Sequence, residues 1–165
     1  MIDSRPETRK HIRRVQTYMH RAVNRLVLRA VNHDASKLAH PEVEAFDEWT
    51  PRLATMEYGS AEYKASVKAL GPALEHHYAN NSHHPEHYPN GIRGMSLLDL
   101  LEMICDWKAA SERMRPSAPA APARPAAPKY SADFLAGLAL NQERFGYSDE
   151  LREILENTAR ELGFA

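Results

Sequence analysis

The sequence predicts an all-α protein. Three observations carry this prediction. Apolar residues recur at three- and four-residue steps, no segment alternates apolar and polar residues with β-branched enrichment, and glycine is sparse, at 7 of 165 residues. The length fits one domain over residues 1–165, large enough to bury a core.

The elements run in this order. Ile12, Val15, Met19, Ala22, Leu26 and Ala30 form one apolar stripe of an N-terminal helix. Arg21, Arg25 and Arg29 step by four on another face and read as a solvated basic ridge. Pro41 follows His40, so a second helical unit ends near Leu38 to Ala39. Pro41-Glu42-Val43-Glu44 starts a short helix with proline in its first turn. Ser60 is the candidate N-cap of a helix over Ala61 to Leu70. Gly71-Pro72 punctuates, and Pro72 opens a helix carrying His76 and His77. Asn80, Asn81 and Pro85 end it, which puts His83 to His87 in a turn or loop. Ser96 caps the next helix, with Asp99 three residues on as its capping-box partner. Leu97, Leu98, Leu100, Leu101, Met103, Ile104 and Trp107 cover most of its circumference, so it should be a central, buried helix. Arg115 to Lys129 is almost all alanine and proline, which cannot form a helix interior, so residues 115–129 read as a mobile loop. Two terminal helices come last, Ala132 to Leu140 and Asp149 to Leu162, the second opened by Ser148.

Composition excludes several functional classes. A net charge of −1 argues against a dedicated nucleic-acid binder. The single cysteine, Cys105, rules out an intramolecular disulfide and thiolate zinc sites, and suits a reducing, cytoplasmic location. No apolar run approaches the length that spans a bilayer, and Met1-Ile2-Asp3-Ser4-Arg5 lacks the apolar core of a signal peptide. The aromatic residues from Trp49 to Tyr63 are candidates for an interface between copies in a homo-oligomer.

The chemistry concentrates in Glu75 to His87, thirteen residues holding five of the nine histidines. Imidazoles and carboxylates in such numbers are a ligand set for a metal ion. His33-Asp34 ends the apolar run Leu26 to Asn32, where both side chains can reach one ion and the carboxylate can bridge to a second. Asp106 sits on the apolar helix, where an uncompensated charge would cost several kcal/mol. A metal is one compensation, and an arginine, lysine or histidine partner is another. Glu102 lies one turn before it on a similar face. His11 meets a geometric condition. On one straight helix it would stand about 33 Å from His33, so as a ligand it requires the chain to turn back around Asn24 to Leu26. His20, the rival ligand of that segment, lies off the apolar stripe and reads as a surface residue, as does His40 beside Pro41.

The ordered set His11, His33-Asp34 with Lys37, His77, His83-His84 and Asp106 resembles the ligand pattern of the HD-domain superfamily. That superfamily's signature is a histidine, a later His-Asp pair and a distal aspartate on an all-helical fold. The motifs His33-Asp34-x-Ser36-Lys37, His77-x-x-x-Asn81-x-His83-His84 and Glu102-Met103-x-x-Asp106-Trp107 are similar to those of an uncharacterised HD-like family of phages and bacteria. The resemblance spans about residues 8–115. It implies a metal-dependent phosphohydrolase acting on a nucleotide or related small phosphoester, with His11, His33, Asp34 and Asp106 on one ion and His77, His83 and His84 on a further ion or the phosphate. Lys37 would neutralise phosphate charge, its alternative being a plain salt bridge, and Glu86 is a candidate general acid or base. His76 and His87 fall off the pattern and read as neighbours. Wholly nitrogen and oxygen ligation admits Mn, Fe, Co, Ni, Zn or Mg, in one or two ions, with imidazole favouring the transition metals. Two other readings stay open: a di-iron oxygenase of the HD type, and a non-catalytic metal-binding helical protein.

Overall fold

The computed structural model describes residues 3–55, 61–113 and 134–164, and these are helical with no strand among them. The all-α class is as expected. The chain groups into two units, Met1–His33 and Asp34–Ala165. Among the described residues no helix is long and apolar enough to cross a membrane.

The first unit is a single helix, α1, Arg5–Asn32. Proline in its first turn starts it without sacrificing a helical hydrogen bond, and Thr8 turns its hydroxyl onto the Ser4 carbonyl. Beyond Pro6 no glycine or proline interrupts it, so α1 runs unbroken through Asn24 to Leu26. The reversal on which a role for His11 depended is therefore absent. His11 and His33 lie about 33 Å apart along the axis, at 1.5 Å per residue, and cannot share an ion within one chain.

The second unit begins with a 3-10 turn, Ala35–Leu38. Next comes α2, Glu42–Thr55, which starts directly after the His40-Pro41 cis peptide and continues through Pro51, longer than the short helix expected. Helix α3 spans Ala61–Ala69 and α4 Gly71–Asn80. At the end of α4 the side chains of Asn80 and Asn81 donate to the carbonyls of His76 and His77, each at 2.8 Å, satisfying acceptors that the last turn leaves open. Two 3-10 turns, Pro85–His87 and Gly91–Gly94, carry the chain to α5, Leu97–Arg113.

Helix α5 buries a broad face, Leu100, Met103, Ile104, Trp107 and Ala110, while Leu97 and Cys105 stay exposed, so its burial is not all round. It packs with Phe134 and Leu138 of α6 (Phe134–Phe145) and with Leu155 and Ala159 of α7 (Asp149–Glu161). Tyr147, between α6 and α7, joins this core and donates its hydroxyl to the Leu138 carbonyl. Ser148 caps α7 by accepting from the Leu151 amide. The Ser60 cap and the loop expected over residues 115–129 lie outside the described residues.

Both ends of the capping box at α5 are formed. The Asp99 amide donates to Ser96 Oγ at 3.2 Å, and Asp99 Oδ2 accepts from the Ser96 amide at 2.8 Å. Asp99 also accepts from the hydroxyls of Ser96, Ser82 and Tyr88. Burial pushes its carboxyl up, but those hydrogen bonds outweigh burial and hold it well below the usual carboxylate range. The bond to Ser82 ties the first turn of α5 to the residue just before His83.

Candidate metal centre

Asp34 stands at the head of the first 3-10 turn with φ 55° and ψ 16°, the one non-glycine residue with positive φ among those described. The left-handed region is disfavoured for most side chains and tolerated best by Asn and Asp. Lys37 holds one carboxylate oxygen, its Nζ lying 2.6 Å from Oδ2. The other oxygen, Oδ1, faces two imidazoles: His77 Nε2 at 3.3 Å and His83 Nε2 at 3.5 Å.

His77 lies on the buried face of α4, 1% exposed, and His83 follows in the loop at 2%. His84 completes the set, with its Nε2 2.9 Å from His77 Nε2 and its ring centroid 4.1 Å from that of His83. Asp34, His77, His83 and His84 each offer one ligand atom, and all four atoms lie within 4.8 Å of one another. A tetrahedral ion with bonds of about 2.0–2.1 Å separates its ligand atoms by about 3.3 Å. The observed spacings of 2.9, 3.3 and 3.5 Å bracket that value.

Burial pushes the His84 imidazole down to about 3, helped by the neighbouring His83 and His77 and opposed by the carboxylates Asp106 and Asp34. At neutral pH it is therefore uncharged, the form that ligates metals.

Behind the imidazoles stand two carboxylates. Glu42 of α2 is fully buried, and its Oε2 lies 2.8 Å from His77 Nδ1. Its Oε1 lies 2.7 Å from His76 Nδ1, and Ser36 Oγ donates to Oε2 at 3.1 Å. Glu102 of α5 sits 3.2 Å from His83 Nδ1. Burial raises the Glu42 carboxyl, yet the hydrogen bonds from His76, Ser36 and His77 outweigh it and leave a net depression.

The residues expected from sequence separate in this geometry. Asp34, His77, His83 and His84 converge. Asp106, on α5, places a carboxylate oxygen within 4.8 Å of one of Asp34 and acts on His84 through its charge. His33 is the C-cap residue of α1, in the first unit, and His11 lies far along the same helix. Lys37 is engaged in the salt bridge to Asp34. Glu86 pairs with Arg144 of α6 at 2.9 Å, a tie between the Pro85–His87 turn and α6. His76 and His87 are neighbours: His76 meets Glu42, and His87 donates to the Tyr78 carbonyl at 2.7 Å. His40 pairs with Glu44 at the surface.

Glu42 was the residue sequence reasoning missed. A signal was present, since Glu42, Phe46 and Trp49 fall at i, i+4 and i+7, which places the acid at the head of an otherwise aromatic stripe.

A family model described as DUF5662, a family of unknown function, matches residues 2–161. The chain belongs to this family. No curated protein and no solved structure matches it.

Proposed function

We propose that this protein is a metal-dependent phosphohydrolase of the HD-domain kind, acting on a nucleotide or related small phosphoester. The observation that supports the reading is the convergence of Asp34 Oδ1 with the Nε2 atoms of His77, His83 and His84. Three imidazoles and one carboxylate favour a divalent transition metal, Mn, Fe, Co, Ni or Zn, over Mg. A bound ion supplies two things to phosphoester hydrolysis: a water acidified toward neutrality and polarisation of a phosphoryl oxygen.

The chain's own residues do the rest. Lys37 fixes the Asp34 carboxylate by one oxygen, so that the other remains toward the imidazoles. The Lys37 side chain is 36% exposed, against 2% for His77 and His83, so it is the cation of this group that an incoming phosphate meets. Asn81 and Ser36 brace Glu42 and the last turn of α4, which keeps His77 from turning out of the cluster. The single cysteine fits an enzyme of the reducing cytoplasm.

The test is metal content by mass spectrometry for wild type beside Asp34→Ala and His84→Ala, followed by a screen of nucleotides for phosphate release with Mn, Co or Zn, under air and under anaerobic conditions. About one bound ion per chain or more, lost in both variants, with release that needs no oxygen, is the expected result. Full metal content in both variants would remove the site. Iron content with turnover only under oxygen would replace hydrolysis by the oxygenase reading, and metal without turnover would leave a binding protein.

A further inference from the structure

We propose that Glu42 is a positioning residue of this centre: its buried carboxylate fixes His77 as the tautomer protonated on Nδ1, which turns Nε2 toward the ion. The inference rests on the metal reading above and adds to it the residue that makes His77 a ligand through the correct nitrogen.

The hydrogen-bond directions around His77 put a proton on Nδ1. An ionised carboxylate only accepts, so the contact of 2.8 Å between Glu42 Oε2 and His77 Nδ1 requires the proton on Nδ1. Asn81 Nδ2 also lies 3.0 Å from Nδ1, but it has nearer acceptors for both its hydrogens, Ser36 Oγ at 2.8 Å and the His77 carbonyl at 2.8 Å. Ser36 in turn donates to Glu42 Oε2 at 3.1 Å. The chain of hydrogen bonds therefore runs from Asn81 to Ser36 to Glu42, with His77 and His76 donating to the same carboxylate from the other side. The opposite tautomer would set a lone pair of Nδ1 against a carboxylate oxygen in a fully buried pocket.

With Nδ1 protonated, the lone pair of His77 Nε2 points at Asp34 Oδ1 and His84 Nε2. Partners of this kind, which orient a metal-bound imidazole and raise its basicity, are worth about 10–100-fold in metal affinity. Glu102 stands in the same relation to His83 Nδ1 at 3.2 Å, so two of the three imidazoles are backed by a carboxylate. Burying a lone glutamate is costly without such partners. Glu42 is placed where hydrogen bonds from Ser36, His76 and His77 offset that cost, at the first residue of α2.

Two measurements test this. Nitrogen–proton correlation spectra of the metal-free wild type report the His77 tautomer directly. Calorimetric titration with Zn(II) and with Co(II) compares wild type, Glu42→Gln and the exposed neighbour Glu44→Gln. The expected result is a single Nδ1-protonated His77 in wild type, loss of that single form in Glu42→Gln, and metal affinity weakened about 10–100-fold in Glu42→Gln and unchanged in Glu44→Gln. A wild-type His77 protonated on Nε2 overturns the inference without any variant, so it stays testable even if Glu42→Gln does not fold. Wild-type affinity in a folded Glu42→Gln overturns it as well. If wild type binds neither metal, the metal reading falls by itself, and the tautomer spectrum still decides what Glu42 does to His77.

Discussion

Replacing Asp99 by alanine should weaken both the fold and the candidate metal centre, because one carboxylate braces both. In the fold it closes the capping box of α5, and removing such a cap costs about 1 kcal/mol. It also accepts from the Ser82 and Tyr88 hydroxyls, at 2.6 and 3.0 Å. Leaving those hydroxyls without a charged acceptor costs about 1 kcal/mol each. The sum is about 3 kcal/mol, which in a protein of this length lowers Tm by roughly 6–12 °C. Sign and pH follow from the depressed carboxyl. A group held below its unfolded value of about 3.9 contributes its stability above that pH and loses it as pH falls through the folded value. The gap between wild type and the isosteric Asp99→Asn should therefore be constant from about pH 5 to 8 and narrow below about pH 4. Ser82 precedes His83, so freeing it loosens the segment that carries two of the proposed ligands, and Zn(II) affinity should fall about tenfold. Scanning calorimetry from pH 3 to 8 and a metal titration read both effects. A Tm within about 2 °C of wild type, or a gap that widens on acidification, would refute the reasoning.

Other outcomes rest on the same contacts. His84→Ala should lower the Tm of the metal-loaded protein more than that of the metal-free protein, read with and without Zn(II). Saturating metal at about 100 times its Kd should raise wild-type stability by about 2.7 kcal/mol, and His83→Ala should abolish the shift. His11→Ala should keep the metal content of wild type by mass spectrometry, since α1 carries that residue far from His33. Leu138→Ala, at a side chain with no exposure in the core of α5, α6 and α7, should cost about 2–5 kcal/mol in urea unfolding.

Much of the architecture was legible because its signals are local. The apolar stripe of α1, the Pro72 start of α4, the Ser96–Asp99 box and the Ser148 cap each depend on residues within one or two turns, and each is where the sequence placed it. What failed was an inference from distance. A role for His11 needed a reversal with no glycine or proline to make it, and the helix simply continues. The candidate site was legible in its histidines, because His77, His83 and His84 are few residues apart and α4 and its loop bring them together. The carboxylates behind them were harder. Glu42 is 35 residues from His77, and only the packing of α2 against α4 makes them neighbours. Only the stripe it shares with Phe46 and Trp49 separates it from Glu44 two positions on, which is exposed and paired with His40. The same holds for Glu86, whose partner Arg144 is 58 residues away.

The crowding of the three imidazoles bears on why this cluster differs from a satisfied histidine core. In an ordinary core each buried imidazole nitrogen meets a hydroxyl, an amide or a carbonyl, as His87 meets the Tyr78 carbonyl. Here the outward nitrogens of His77 and His83 have carboxylates, while their inward Nε2 atoms and that of His84 turn toward each other and toward Asp34 Oδ1. Nitrogens and a carboxylate oxygen facing one another at 2.9 to 3.5 Å need a proton or a cation between them, and a neutral His84 protonated on Nε2 can donate to only one of these neighbours at a time. A second proton on His84 is disfavoured, since its imidazole is held down to about 3 mainly by burial. Lys37 answers only the far oxygen of Asp34. The fold therefore brings these atoms to one point, with Glu42 and Glu102 behind two of the imidazoles and Asp99 tying down Ser82 beside His83. On the metal reading proposed above, a cation would engage all four groups at once where a shared proton engages two, which is why the His84→Ala effect should be larger with metal than without it.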